Sequence, residues 1–142
     1  MPYFLAPMIG WFVSGCLKYL INSIRFGRRQ AQDYAGNGGF PSTHTSTVAT
    51  VTFLIGFGEG WLSPVFGLGV GFLMIVIIDA TGLRQAVGKQ AAVLNKLHEK
   101  EDNVPPLRER MGHNRFEIFG GLVVGFITSF VLYQVFSGWS WM

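Results

Sequence analysis

His113 and Glu117 stand four residues apart, so a helix beginning near them carries both on one side. A carboxylate at that spacing can hold an imidazole in one tautomer and stabilise its cation. A nucleophilic or acid–base histidine requires that support. The same spacing also makes an ordinary helix-stabilising pair. A second histidine, His44, closes the run Gly36-Asn37-Gly38-Gly39-Phe40-Pro41-Ser42-Thr43-His44, a glycine loop leading into hydroxyls and an apolar segment. Amides at a helix start form an anion site. Ser42, Thr43 and Thr45 either add donors to that site or cap the helix. A cap needs no imidazole, so His44 points to chemistry.

The cations fall where an anion would need them. Lys18 and Arg25 are seven apart, about two helical turns, at the end of the first apolar segment. They either grasp a phosphate or snorkel to a membrane boundary. Asp79, near the end of the third apolar segment, is costly there without a partner. Arg84 and Lys18 are the candidates for that partner. Two histidines and several cations at a membrane surface suit work on a phosphate attached to a lipid.

The elements that must position these groups are apolar helices. Of 142 residues, 49% are hydrophobic and 13% charged. Residues 1–17, 45–58, 60–78 and 118–142 carry no Asp, Glu, Lys or Arg. A bilayer core of about 30 Å takes about 17–25 residues per helix. Four spans fit, near 3–24, 43–59, 62–80 and 116–137, within a single domain over residues 1–142. The fold class is therefore all-α, an integral membrane helical bundle with an added interfacial amphipathic helix. No basic residue precedes the first apolar run, which reads as a span and not as a cleaved signal. Cys16 has no cysteine to pair with and reads as a small core residue.

All eleven Lys and Arg residues fall between Lys18 and Arg29 or between Arg84 and Arg115. Basic residues near span ends favour the cytoplasm. Both basic segments, and the chemistry beside them, are thus expected on that side, in a bacterium at the inner membrane. Trp61, Trp139 and Trp141 fall at the opposite interface. The net charge of +3 reads as topology and attraction to anionic lipid. Nucleic acid is excluded for want of a broad basic surface.

Leu83 to Leu97 is amphipathic at helical period. Leu83, Ala86, Val87, Ala91, Val93, Leu94 and Leu97 fall on one side, and Arg84, Gln85, Lys89, Asn95 and Lys96 on the other. A helix lying in the interface is expected. His98, in a charge run ended by Pro105-Pro106, reads as a surface histidine. No Cys/His cluster has metal-ligand spacing. Gly56/Gly60, Gly67/Gly71 and Gly121/Gly125 permit close helix packing within one chain or in a homodimer.

The ordered set Lys18…Arg25, Pro41-Ser42-Thr43-His44 and His113…Glu117 resembles the motif series of the type 2 phosphatidic acid phosphatase superfamily, which includes vanadium-dependent haloperoxidases. Gly38-Gly39-Phe40-Pro41-Ser42-Thr43-His44, Asp79-Ala80-Thr81-Gly82-Leu83-Arg84, Gly88-Lys89-Gln90-Ala91, Leu94-Asn95 and Gly112-His113 resemble its divergent small membrane branch. The resemblance implies a lipid-phosphate phosphatase working without a metal or other cofactor through a phosphohistidine. His113 would attack phosphorus, steadied by Glu117, and His44 would protonate the leaving oxygen. Lys18, Arg25, Ser42, Thr43 and Arg84 would bind the phosphoryl oxygens, with Asp79, Lys89 and Asn95 in support. Thr43 stands where the wider superfamily has glycine, and Glu117 where it has aspartate. No Ser-Arg precedes His113; Arg84 is the choice for that arginine, with Arg108 and Arg110 as alternatives. Phosphatidylglycerophosphate is the expected substrate, ahead of polyprenyl phosphates or diphosphates. A non-catalytic lipid-phosphate binder or flippase is the rival.

Overall fold

The computed structural model describes residues 2–26, 39–98 and 105–139. Gly36, Asn37, Gly38, Arg28, Arg29 and Trp141 lie outside the described residues. The described structure is all-helical. A short 3-10 turn, Tyr3–Leu5, leads into α1 (Ala6–Phe26), followed by α2 (Thr43–Glu59), α3 (Pro64–Thr81), α4 (Leu83–Leu97) and α5 (Arg115–Trp139). Three stretches are long and apolar enough to cross a bilayer: Tyr3–Arg25, Pro64–Leu97 and Arg115–Gly138.

The fourth expected span, α2, is of another kind. Its 17 residues reach about 25 Å. It forms the middle of the bundle, packed most extensively on α5, then on α1 and α3, while α1 also touches α5. Its sequence carries five threonines and a serine in the first ten positions. Thr45, Ser46, Thr50 and Thr52 are fully buried. They stay satisfied because hydroxyls bond back along the helix: Ser46 Oγ donates to Ser42 O at 3.0 Å, Thr50 Oγ1 to Ser46 O at 2.7 Å and Thr52 Oγ1 to Val48 O at 2.8 Å.

Glycine lets the neighbours approach. A Cβ on Gly125 of α5 would lie 2.5 Å from Ala49 Cβ, and one on Gly121 would lie 2.7 Å from Ser42 O. On α1, a Cβ on Gly10 would meet Thr50 Oγ1 at 2.3 Å. The Gly121/Gly125 pair thus packs within the chain, as small residues do between membrane helices. Gly67 and Gly71 of α3 face open space, and Gly56 sits under the Trp61 ring. Cys16, expected in the core, is exposed on α1.

At the end of α2 away from His44, Trp61 joins Phe53, Phe57 and Phe66, and Tyr3 Oη donates to Glu59 Oε1 at 2.7 Å. At the other end, α3 turns through Gly82 into α4. The apolar residues Leu83, Val87, Val93, Leu94 and Leu97 of α4 are exposed, whereas Gly88 and Ala91 are buried. Arg84, Gln85 and Asn95 are half-buried. Part of the polar face, at Arg84, Gln85 and Asn95, therefore meets the protein while Lys89 and Lys96 are exposed, and the apolar face is turned outward as an interfacial helix requires.

Two substitutions test the packing by thermal unfolding in detergent. Gly125→Leu overpacks the α2–α5 contact and is expected to cost about 1–3 kcal/mol or more. Gly71→Ala fills open space and is expected to stay within about 0.5 kcal/mol of the parent.

Candidate active site

Both histidines stand at helix starts on one end of the bundle. Ser42 is the N-cap of α2: its Oγ accepts from Thr45 N at 3.4 Å and from Thr45 Oγ1 at 2.9 Å. That leaves the first-turn amides of Thr43 and His44 for an anion. The Ser42 side chain is fully buried in this role, so it serves as the cap and not as an open phosphate donor. Thr43 is half-buried at the first position of α2, and the His44 ring is exposed.

His113 arrives by a different route. Residues 105–113 run back along α4 as a strap. Asn95 clamps it: Nδ2 donates to Leu107 O at 2.8 Å and to Glu109 Oε1 at 2.8 Å, while Leu107 N donates to Oδ1 at 2.8 Å. Gly88 gives the strap room, since a Cβ there would lie 2.4 Å from Glu109 O. Gly112 then takes φ +83°, in the left-handed region, and its missing Cβ would meet Ala80 O at 2.7 Å. His113 N donates to Ala80 O at 3.0 Å, and Gln85 Nε2 donates to His113 O at 2.8 Å.

Glu117 does two things. With Asn114 it forms a capping box at the start of α5: Glu117 N donates to Asn114 Oδ1 at 2.8 Å, and Asn114 N to Glu117 Oε2 at 3.1 Å. The same Oε2 accepts from His113 Nδ1 at 2.9 Å. In the neutral ring the proton then sits on Nδ1, and the Nε2 lone pair is free to act. The ordinary helix-stabilising reading and the chemical one hold together in a single carboxylate.

The two imidazoles are neighbours, with ring centroids 6.4 Å apart and ring planes tilted by 56°. Lys18, on the inward side of α1, is 6% exposed and extends past Gly39. Arg84 and Lys18 act on both rings; on His113 the Glu117 charge acts more strongly than either, and Asp79 acts more weakly on His44. Asp79 accepts from Arg84 Nε, which settles its partner and leaves the guanidinium's terminal nitrogens to turn elsewhere. Arg108 is close enough to Lys18 to act on its charge.

Other expected site residues lie apart from this cluster. Arg25 is exposed at the last turn of α1, and Lys89 is exposed on α4. Asn95 spends its amide on the strap and touches neither histidine. His98 is exposed, its Nδ1 2.9 Å from Leu94 O. Gln85 and Asn114 went unnoticed as site residues because short polar residues on a helix face or beside a helix start carry no pattern of their own.

Over residues 1–128 the sequence matches the family described as "Divergent PAP2 family". The chain belongs to that family. It is also similar to the uncharacterized membrane protein YuiD of Bacillus subtilis (strain 168), at 32% identity over 116 residues covering 70% of this chain and 73% of the relative. No solved structure matches. In this divergent PAP2 member Lys18, the Pro41–His44 run and the His113–Glu117 pair lie at one end of the bundle, with Arg25 exposed at the last turn of α1.

Burial pushes the His113 imidazole below its ordinary range, and the Glu117 hydrogen bond and charge pull the other way. The ring is therefore neutral at pH 7. Because the folded value lies below the unfolded one, its contribution to stability is complete above about pH 6.5 and is lost as the pH falls below that. In an NMR titration of histidine-labelled protein, His113 should titrate below 6.5. Glu117→Gln removes the supporting charge and should lower the midpoint further.

Proposed function

We propose that this protein is a lipid-phosphate phosphatase that hydrolyses a phosphomonoester through a phosphohistidine on His113. The observation that supports this best is the pair of neighbouring imidazoles, one oriented by Glu117, with Lys18 and Arg84 acting on both. In-line displacement needs a nucleophile on one side of phosphorus and an acid on the other. Ring centroids 6.4 Å apart put both imidazoles beside one small space.

In the first step His113 Nε2 attacks phosphorus and the ester P–O bond breaks. His44, protonated, gives its proton to the departing alkoxide oxygen. In the second step His44, now neutral, takes a proton from water, whose oxygen attacks the phosphohistidine and releases inorganic phosphate. Lys18, Arg84 and the Thr43 and His44 amides offset the charge on the phosphoryl oxygens throughout. Three features suit a lipid substrate: the site's place at the ends of membrane-crossing helices, the outward apolar face of α4 and the exposed His44. The lysine and arginine asymmetry favours the cytoplasmic leaflet. We rank phosphatidylglycerophosphate first there, ahead of phosphatidate and polyprenyl phosphates.

The test is phosphate release by the detergent-solubilised protein from phosphatidylglycerophosphate, phosphatidate and undecaprenyl diphosphate, with EDTA present. Release from one lipid is expected. His113→Ala should abolish it, and His44→Ala should lower it by about 10²–10⁴-fold. No release by folded protein would replace this reading with a lipid-phosphate binder or flippase. Reporter fusions placing Arg108 outside the cell would overturn the cytoplasmic assignment.

A further inference from the structure

His113 lies outside regular helix. It follows Gly112 at the end of the strap, so the ring goes where its backbone is held. Glu117 fixes the ring's rotation from Nδ1 but does not hold the peptide. Two other bonds do that: His113 N to Ala80 O, and Gln85 Nε2 to His113 O. The first is a backbone bond that many residues at position 113 would make. The second comes from a side chain.

Several features of the sequence fit that second bond. A Cβ on Gly112 would stand 2.7 Å from Gln85 Cγ, so the glycine before the nucleophile also leaves room for the glutamine beside it. Gln85 follows Arg84 on the first turn of α4, and Arg84 is itself held by Asp79. One helical turn thus carries the cation that acts on both imidazoles and the amide that holds the imidazole-bearing peptide. A neutral amide fixes the carbonyl without adding a charge to the field of Lys18 and Arg84. A lysine there would donate as well but bring a further positive charge beside the ring.

We propose that Gln85 is a positioning residue for phosphoryl transfer, holding His113 through its carbonyl at a set distance from Arg84. The proposal rests on His113 as the nucleophile, and its test separates the two ideas. Gln85→Met keeps the length of the side chain and removes the donor. Gln85→Glu keeps the shape and replaces the donor with an acceptor. Each is measured for lipid phosphate release. Each is also measured, in histidine-labelled protein, for the proton NMR signal of His113 Nδ1, identified by its absence in His113→Gln.

Both variants are expected to lower kcat by about tenfold to a hundredfold, since small misplacements of a reacting group cost that much. KM should stay within about twofold, because uniform substrate binding is untouched. The Nδ1 proton signal should broaden or vanish as the ring loses its fixed place, with the thermal midpoint of unfolding preserved. Unchanged kcat and signal would overturn the proposal. So would a fall in kcat with the signal intact, which would put Gln85 in contact with substrate. Loss of thermal stability in both variants would assign Gln85 to folding and overturn it too. If the unsubstituted protein releases no phosphate from any lipid, the phosphatase reading falls and the Nδ1 signal alone decides the role of Gln85.

Discussion

The close approach of α2 and α5 is the constraint on which the site end depends. Ser42 N donates to Glu117 O at 2.9 Å, a backbone bond that joins the start of one helix to the start of the other. It forms only because Gly121 brings the first turns of α2 and α5 together. With that bond in place, the cap of α2 and the carboxylate of α5 are tied to each other. His44 and His113, next to them in sequence, follow.

The same economy runs through the rest of the site. Glu117 caps a helix and orients an imidazole with one oxygen. Asp79 meets the cost of its own charge near the membrane by holding Arg84. Residues of this kind do not divide cleanly into structural and chemical sets. The energy that forms the helix start also places the His113 ring, which is how a small bundle can keep a polar cluster in order.

The apolar periodicity and the charge-free runs were enough to read the helices. The expected 43–59 and 83–97 coincide with α2 and α4, and the other spans differ only at their ends. Lys18, His44, Arg84, His113 and Glu117 were legible as candidates because imidazoles and cations at the ends of apolar runs have few other uses, and the fold gathers them at one end of the bundle. The strap was not. Asn95, Gln85 and Gly112 act on backbone groups far away in sequence, and a hydrogen bond to a distant carbonyl leaves no periodic trace. Ser42 was open for a related reason: a hydroxyl before a helix serves equally as cap or ligand, and the structure shows the cap. Which glycines pack and which face open space was equally hidden, since Gly67/Gly71 and Gly121/Gly125 share one spacing.

The hydroxyl-rich middle helix bears on how such a protein comes into being. Alone in lipid, α2 would be short and weakly apolar, a poor candidate for lasting residence in hydrocarbon. Its surroundings in the finished bundle come from α1, made before it, and from α5, made after α3 and α4. The ribosome has passed through α3 and α4 before the surface that shelters α2 exists. Until then that helix depends on whatever cellular machinery keeps half-built membrane proteins out of the lipid.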